Sequence, residues 1–273
     1  MSVHEQIPVA PGSPPRIEVR NAAGSVTVQA VDGAERLEVW VEPLDDAAEQ
    51  LLDRVEIDVR EAEPGSATRL RVIAPERRLL RTPAFAVRIT TPPGTAARIA
   101  VASADVELTG RFGELDVTGA SADLDVERGT DVHLRTASGD ARIGTVDGRA
   151  SIGSASGDVR VGQAHGPLKL RTASGDVSVD ESSTDVSIST ASGDVTVGAA
   201  AAGVVQVRTV SGDASVGVAR GLRVWLELSS VSGRMKSELE DDDPAGDGPP
   251  ALSLALRSVS GDMRIHRSAQ PVA

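Results

Sequence analysis

The chain has 273 residues, a formal net charge of −12 and no cysteine. That acidity argues against a nucleic-acid or anionic-membrane surface, and the absence of thiols excludes disulfides and thiolate metal sites. Hydrophobic residues make up 40%, with two Phe, two Trp and no Tyr, so a core exists and it is aliphatic.

Residues 1–15 contain Pro and Gly and are predicted as a flexible arm. Arg16 to Arg20 and Val26 to Val28 alternate in polarity and predict strands around the turn Asn21-Ala22-Ala23-Gly24. Leu37, Val39 and Val41 share the face of a third strand. Asp45 to Leu52 is the one predicted helix, with Asp45 or Asp46 as its N-cap. Val55 to Val59, Leu70 to Ile73 and Phe85 to Ile89 are further strands, and Pro92-Pro93-Gly94 is a break. Residues 16–94 are expected to form a non-repetitive β cap with one short helix, covering the open end of a repeat region.

From residue 95 to 266 that repeat takes over. Thr172-Ala173-Ser174-Gly175-Asp176-Val177-Ser178-Val179 recurs as Thr136 to Ile143, Ser154 to Val161, Thr190 to Val197 and Thr209 to Val216. Looser copies begin at Ser230 and Ser258, and Ser103-Ala104-Asp105 and Ser121-Ala122-Asp123 precede them. The motif serines stand at 103, 121, 138, 156, 174, 192, 211, 232 and 260, so the steps are 18, 17, 18, 18, 18, 19, 21 and 28. Between motifs lies a second alternating apolar pair, such as Val186 and Ile188. The unit is therefore strand, turn, strand, turn. A hairpin meander has no reason to repeat side chains at one spacing, whereas a solenoid stacks each residue on its equivalent one coil away. An all-β, single-chain β-solenoid is predicted, with about 18 residues and two strands per coil. The longest step contains the acidic stretch 234–250, with Glu238, Glu240, Asp241, Asp242, Asp243, Asp247 and three prolines. It reads as a solvated loop at a corner, or as a docking or cation-collecting loop. Residues 267–273 are a short tail.

Val87 to Thr95, leading into repeated Thr-Ala-Ser-Gly-Asp-Val units, resembles the bacterial β-strand-repeat family labelled "putative adhesin", a domain of unknown function. The resemblance covers roughly residues 85–265. It implies a β-solenoid-like domain without established catalytic residues, and no functional residue carries over.

Stacking generates three ranks of side chains. Asp140, Asp158, Asp176, Asp194 and Asp213, with Asp262 after them, would stand about 5 Å apart and repel by roughly 1 kcal/mol per neighbour even in water. Either backbone N–H groups bind these carboxylates while Gly takes a positive-φ turn position, or a row of cations such as Ca²⁺ does. One regular carboxylate per coil is few for a cation that takes six to eight oxygens. Arg135, Arg171, Arg208 and Arg257 alternate with Gly153, Ser189 and Ser229, either compensating the aspartates or offering an anion-binding stripe. The pairs Thr136/Ser138, Ser154/Ser156, Thr172/Ser174, Thr190/Ser192 and Thr209/Ser211 would form an outward hydroxyl ladder.

The four histidines are scattered and none has a partner at metal or triad spacing. With one Trp near each end, an aromatic sugar-binding cleft is not expected. No catalytic, cofactor-binding or metal residue is assigned, and no cofactor. No secretory signal is visible, and cytoplasmic placement is expected. No run is long enough to span a bilayer as a helix. The reading is a non-catalytic structural or protein-interaction module with an unknown protein partner or self-association, without nucleic-acid binding or membrane insertion. The alternatives are a surface adhesin or glycan-binding protein, and a β-helix carbohydrate-active enzyme.

Overall fold

The computed structural model describes residues 2–9, 12–60, 67–76, 82–239 and 250–268, and the chain forms two compact units, 1–140 and 141–273. The protein is all-β. Parallel strands stack in solenoid-like ladders, and inward residues alternate with outward ones along each strand.

The first unit contains β1 (Val3–Pro8), β2 (Arg16–Ala30), β3 (Arg36–Pro43), β4 (Glu56–Arg60), β5 (Arg69–Ile73), β6 (Phe85–Thr91), β7 (Ala96–Thr118) and β8 (Leu124–Ser138). Asp45 caps the single α-turn α1 (Asp46–Glu49), its Oδ1 accepting the Ala48 N–H at 2.7 Å. Val3–Pro8, in the Pro- and Gly-containing N-terminal stretch, pairs antiparallel with β3. A bend at Asn21–Gly24 lets β2 run through two ladders. Its first half lies between β5 and the start of β7, with β4 outside β5. Its second half lies between β6 and the middle of β7, with β3 and then β1 beyond β6. The bend is held by buried Asn21, whose Nδ2 donates to the Phe85 carbonyl at 2.8 Å. Arg16 to Gln29 matches Ala96 to Thr109 residue for residue, so the coil geometry begins at β2. The intervening chain, 31–95, adds strands outside that coil. Between β7 and β8 the offset is 18 at Val106↔Leu124 and 17 at Arg111↔Arg128, and the register shift between Leu108 and Arg111 removes the residue. The 17-residue step between Ser121 and Ser138 has this cause.

The second unit contains β9 (Ala141–Val146), β10 (Ala150–Ser156), β11 (Val159–Ala164), β12 (Leu168–Ser174), β13 (Val177–Ser182), β14 (Val186–Ser192), β15 (Val195–Ala200), β16 (Gly203–Ser211), β17 (Ala214–Val218), β18 (Val224–Ser232), β19 (Met235–Ser237), β20 (Leu252–Ser260) and β21 (Met263–Arg267). Even-numbered strands form one parallel ladder and odd-numbered strands the other. Ala150↔Leu168↔Val186 and Ala141↔Val159↔Val177 are each 18 residues apart.

Chain order then breaks. β20 pairs with β16 on one side and β18 on the other, and β21 lies between β17 and β19. The last coil in sequence is inserted between its two predecessors, and the coil of β18 and β19 is outermost. Burial accounts for the exchange. Leu252, Leu254 and Leu256 of β20 are fully buried, whereas Val224, Leu226 and Leu228 of β18 are only half-buried. The strand with three leucines takes the position covered on both sides. Of the acidic stretch, Met235–Ser237 is a strand, and Glu240, Asp241, Asp242, Asp243 and Asp247 lie outside the described residues.

The insertion gives a direct prediction. Leu254→Ala should lower unfolding free energy by about 2–5 kcal/mol, the range for a buried Leu truncation. Leu226→Ala should cost less than half of that. Urea denaturation of the two variants measures it, and sequential stacking would give the reverse order.

Candidate functional site

The coil corner is built from the Gly-Asp pair. Gly175 and Gly193 have φ of +121° and +134°, a region that favours glycine. A Cβ on either would collide with the carbonyl oxygen of the glycine one coil earlier, Gly157 or Gly175. The glycines therefore stack backbone on backbone. The following aspartate turns its carboxylate along the stack. Asp158 Oδ1 accepts the N–H of Asp176 at 2.8 Å, and Asp176, Asp194 and Asp213 do the same for Asp194, Asp213 and Asp262 at 2.8 Å. Asp262 accepts from the Arg234 N–H at 2.8 Å, in keeping with the inserted order. In the first unit Asp105 accepts from Asp123 at 3.2 Å and Asp123 from Asp140 at 2.9 Å. The predicted repulsion of roughly 1 kcal/mol between neighbours is thus met by one charge-assisted N–H···O bond per coil, about 1.5–3 kcal/mol. The bond wins. Among the described residues, no three His, Asp or Glu side chains are grouped to hold a metal ion.

The hydroxyl rank differs from the expected outward ladder. Thr136, Ser154, Thr172, Thr190 and Thr209 are buried, while the serines two residues later are exposed. The chain turns the corner between them. Thr172 Oγ1 donates to the Ser174 carbonyl at 3.1 Å, and Thr136 to that of Ser138 at 2.8 Å, so at these two coils the hydroxyl closes the corner from inside, while the hydroxyls of Ser154, Thr190 and Thr209 are buried without a partner among the described residues. The arginine rank also changes. Its spatial order is Gly153, Arg171, Ser189, Arg208, Arg257, Ser229, which brings Arg208 and Arg257 side by side. Glu227 on β18 compensates, its Oε1 lying 2.6 Å from Arg257 Nη2.

The outermost coil leaves interaction capacity unused. Among the described residues β18 pairs only with β20 and β19 only with β21, leaving one backbone edge of each uncovered. Trp225 is 52% exposed and Val231 83%. The corner residue before the motif serine is Ala at 137, 155, 173 and 191 but Val at 210, 231 and 259. Register places these as Val210, Val259, Val231 on successive strands, an exposed valine ridge that ends at the free edge. This substitution was visible in the sequence, yet nothing there distinguished a changed corner from a changed surface. Beside the ridge, Val204, Gln206, Arg208, Trp225, Glu227 and Arg257 wall a 170 Å³ groove whose floor is Ser253 and Ala255.

The two edges differ in charge. Arg264 Nη2 of β21 and Lys236 Nζ of β19 lie 2.8 and 2.7 Å from the Glu238 carboxylate and hold it down to about 2. The Arg234 N–H, with the guanidinium behind it, holds Asp262 below the usual range. Lys at a strand edge discourages pairing, and β18 carries no such cation.

Asp194→Ala should destabilise the fold by about 1 kcal/mol or more, because the Asp213 N–H loses its acceptor. Asp194→Asn, which keeps an acceptor oxygen, should cost less, and thermal melts separate the two. For Glu238 the folded pKa is below its ordinary 4.5. Its contribution is therefore present above 4.5 and lost as pH falls toward about 2. Hydrogen exchange of the β19 amides should stay constant from pH 7 to 5, after correction for intrinsic rates, and accelerate as pH falls from 4 to 2.

Among the described residues no helix is long and apolar enough to cross a membrane. No curated protein matches the chain. Among solved structures it is similar to a "putative lipid binding protein" from Parabacteroides distasonis, with 12% identity over 97% of this chain and 96% of that one at a TM-score of 0.40. It is likewise similar to a "putative adhesin" from Bacteroides fragilis, with 11% identity, 97% of each chain and a TM-score of 0.38. A third likeness is a "putative cell adhesion protein" from Clostridium sporogenes, with 9% identity, 98% of this chain and all of that one, and a TM-score of 0.31. Residues 113–266, which carry every Ser-Gly-Asp corner and the carboxylate ladder joining them, match the Toastrack DUF4097 family model, and the chain belongs to that family.

Proposed function

We infer that this chain is a non-catalytic β-solenoid of about 18-residue coils that begins at β2, with the strands of residues 31–95 outside that first coil as its N-terminal cap, serving as a scaffold that binds protein through the uncovered edge of β18. The observation that carries this reading is the contrast between two equivalent strands. β20 buries Leu252, Leu254 and Leu256, while β18 leaves Val224, Leu226 and Leu228 half-exposed beside Trp225 and Val231. An added strand would cover them and satisfy the free backbone groups, which is recognition by strand addition. The regular Asp groups support a non-catalytic reading, since from Asp158 onward each carboxylate holds the backbone of the next coil. A second copy of the chain offers the same edge, so self-association is the simplest form of the reading. Light scattering after size exclusion should show mass rising with concentration, with Val231→Asp and Trp225→Ala shifting the chain toward monomer. A mass of 28.1 kDa at every concentration, unchanged by either substitution, would sink the self-associating form.

The groove beside Trp225 favours a second reading, glycan binding, because an indole next to Gln206, Glu227 and Arg208 presents a flat apolar face with planar hydrogen-bonding groups. The other indole, Trp40, already stacks on His4 with ring centroids 4.6 Å apart. Neutral oligosaccharides should therefore change the fluorescence of wild type and leave that of Trp225→Phe unchanged; no change in wild type excludes this reading.

A further inference from the structure

The first unit carries a 460 Å³ groove on the outer side of the ladder formed by β4, β5, β2 and β7. Register sets two rows of side chains across it. In one row Asp58 stands beside Arg71, Arg71 beside Glu18, and Glu18 beside Arg98. This row alternates in sign and is internally matched: Arg71 Nε lies 3.7 Å from Glu18, and Arg98 Nε donates to Asp116 Oδ2 at 3.0 Å. The other row, two residues along each strand, is Arg60, Arg69, Arg16, Ala96. Here three arginines from three strands stand side by side at about 4.8 Å spacing, with no acid between them. Arg60 reaches back to Asp58 at 3.7 Å. Among the described residues neither Arg69 nor Arg16 has an ion-pair partner. Ala96 leaves the groove floor open next to Arg16, and Glu114 lines the groove as well.

Arg69 stands between Arg60 and Arg16 on neighbouring strands, and like charges directly opposite are unfavourable until an anion joins them. Each guanidinium offers a planar fork that matches an oxyanion in two-point contact. We propose that Arg69 and Arg16, assisted by Arg60, bind a compact phosphate dianion. Three cations exceed what one carboxylate neutralises. Glu114, together with Asp58, Glu18 and Asp116 of the matched row, would repel a second anionic group, so an extended polyanion does not fit. The shared chemistry admits two sources, a soluble phosphate or phosphomonoester and the headgroup phosphate of phosphatidate.

Calorimetry of the full chain with inorganic phosphate and with glycerol phosphate tests the soluble source. Sedimentation with phosphatidylcholine vesicles, with and without phosphatidate, tests the lipid one. Binding in either arm should weaken with added NaCl. It should fall about tenfold or more in each of Arg69→Gln and Arg16→Gln, since each removes a charge-assisted pair. Arg69→Lys, which keeps the charge but loses the fork, should give an intermediate loss. Arg88→Gln should bind like wild type, because Arg88 is already 3.3 Å from Glu42. All three positions are exposed, and circular dichroism verifies that the variants fold. Soluble binding identifies a free phosphate as ligand, and vesicle binding alone identifies the headgroup. No binding in either arm, or binding unaffected by both glutamine variants, overturns the proposal.

Discussion

The fold depends on how close one coil can come to the next at the corner. Two parallel ladders are in hydrogen-bonding register only if the corner joining them advances by one strand spacing and no more. A side chain at Gly175 would prevent that advance, because the Gly157 carbonyl occupies the space of its Cβ. The next residue then has its N–H directed along the stack without a strand to receive it. Asp158 Oδ1 receives the Asp176 N–H. Gly and Asp are thus one device: Gly permits the approach and Asp binds the backbone group that the approach leaves unpaired. At two coils the threonine beneath closes the same corner from inside, Thr136 to Ser138 and Thr172 to Ser174. Val177 and Val179 can then alternate into the core at the same depth as Val159 and Val161.

That device explains which features were legible in the sequence. Period, strand polarity and the Gly-Asp corner each leave a residue-level mark at fixed spacing, so the solenoid could be read directly. The order of the last coils could not. Ser258 to Asp262 and Ser230 to Arg234 both match Thr209 to Asp213 at the Val, Ser and Gly positions, and Arg234, which has no carboxylate to receive a further coil, marks the outermost position only once the role of the aspartate is known. The hydroxyl rank was misplaced for a related reason. Thr172 and Ser174 are two residues apart, and period-2 reasoning puts them on one face, but it fails where the strand bends between them. The β2 coil was hidden because its partner lies 80 residues away and Asn21, rather than a Gly-Asp pair, holds its bend. The arginine row of the first unit was invisible because Arg16, Arg60 and Arg69 carry no common spacing and meet only through register.

Inserting the last coil has a mechanical consequence for the second unit. A solenoid stacked in chain order would leave β20 and β21 covered on one side alone. Here β20 and β21 are paired on both sides. Among the described residues the uncovered edge belongs to β18 and β19, which continue into further chain in both directions. The turn before β18 is held as well, since Arg267 of β21 donates to the Ala219 carbonyl at 3.1 Å. An edge paired along its length with β20 and β21 presents aligned backbone groups. Ordered, unpaired and apolar together are what an incoming strand requires, because the ordering cost is already met before it arrives. The same arrangement makes the edge a hazard, and the two ladders meet it differently. β19 is blunted by Lys236 and Arg234, which discourage unselected pairing. β18, with Trp225 and the valine ridge beside it, is left open on the single side where pairing would bury apolar surface.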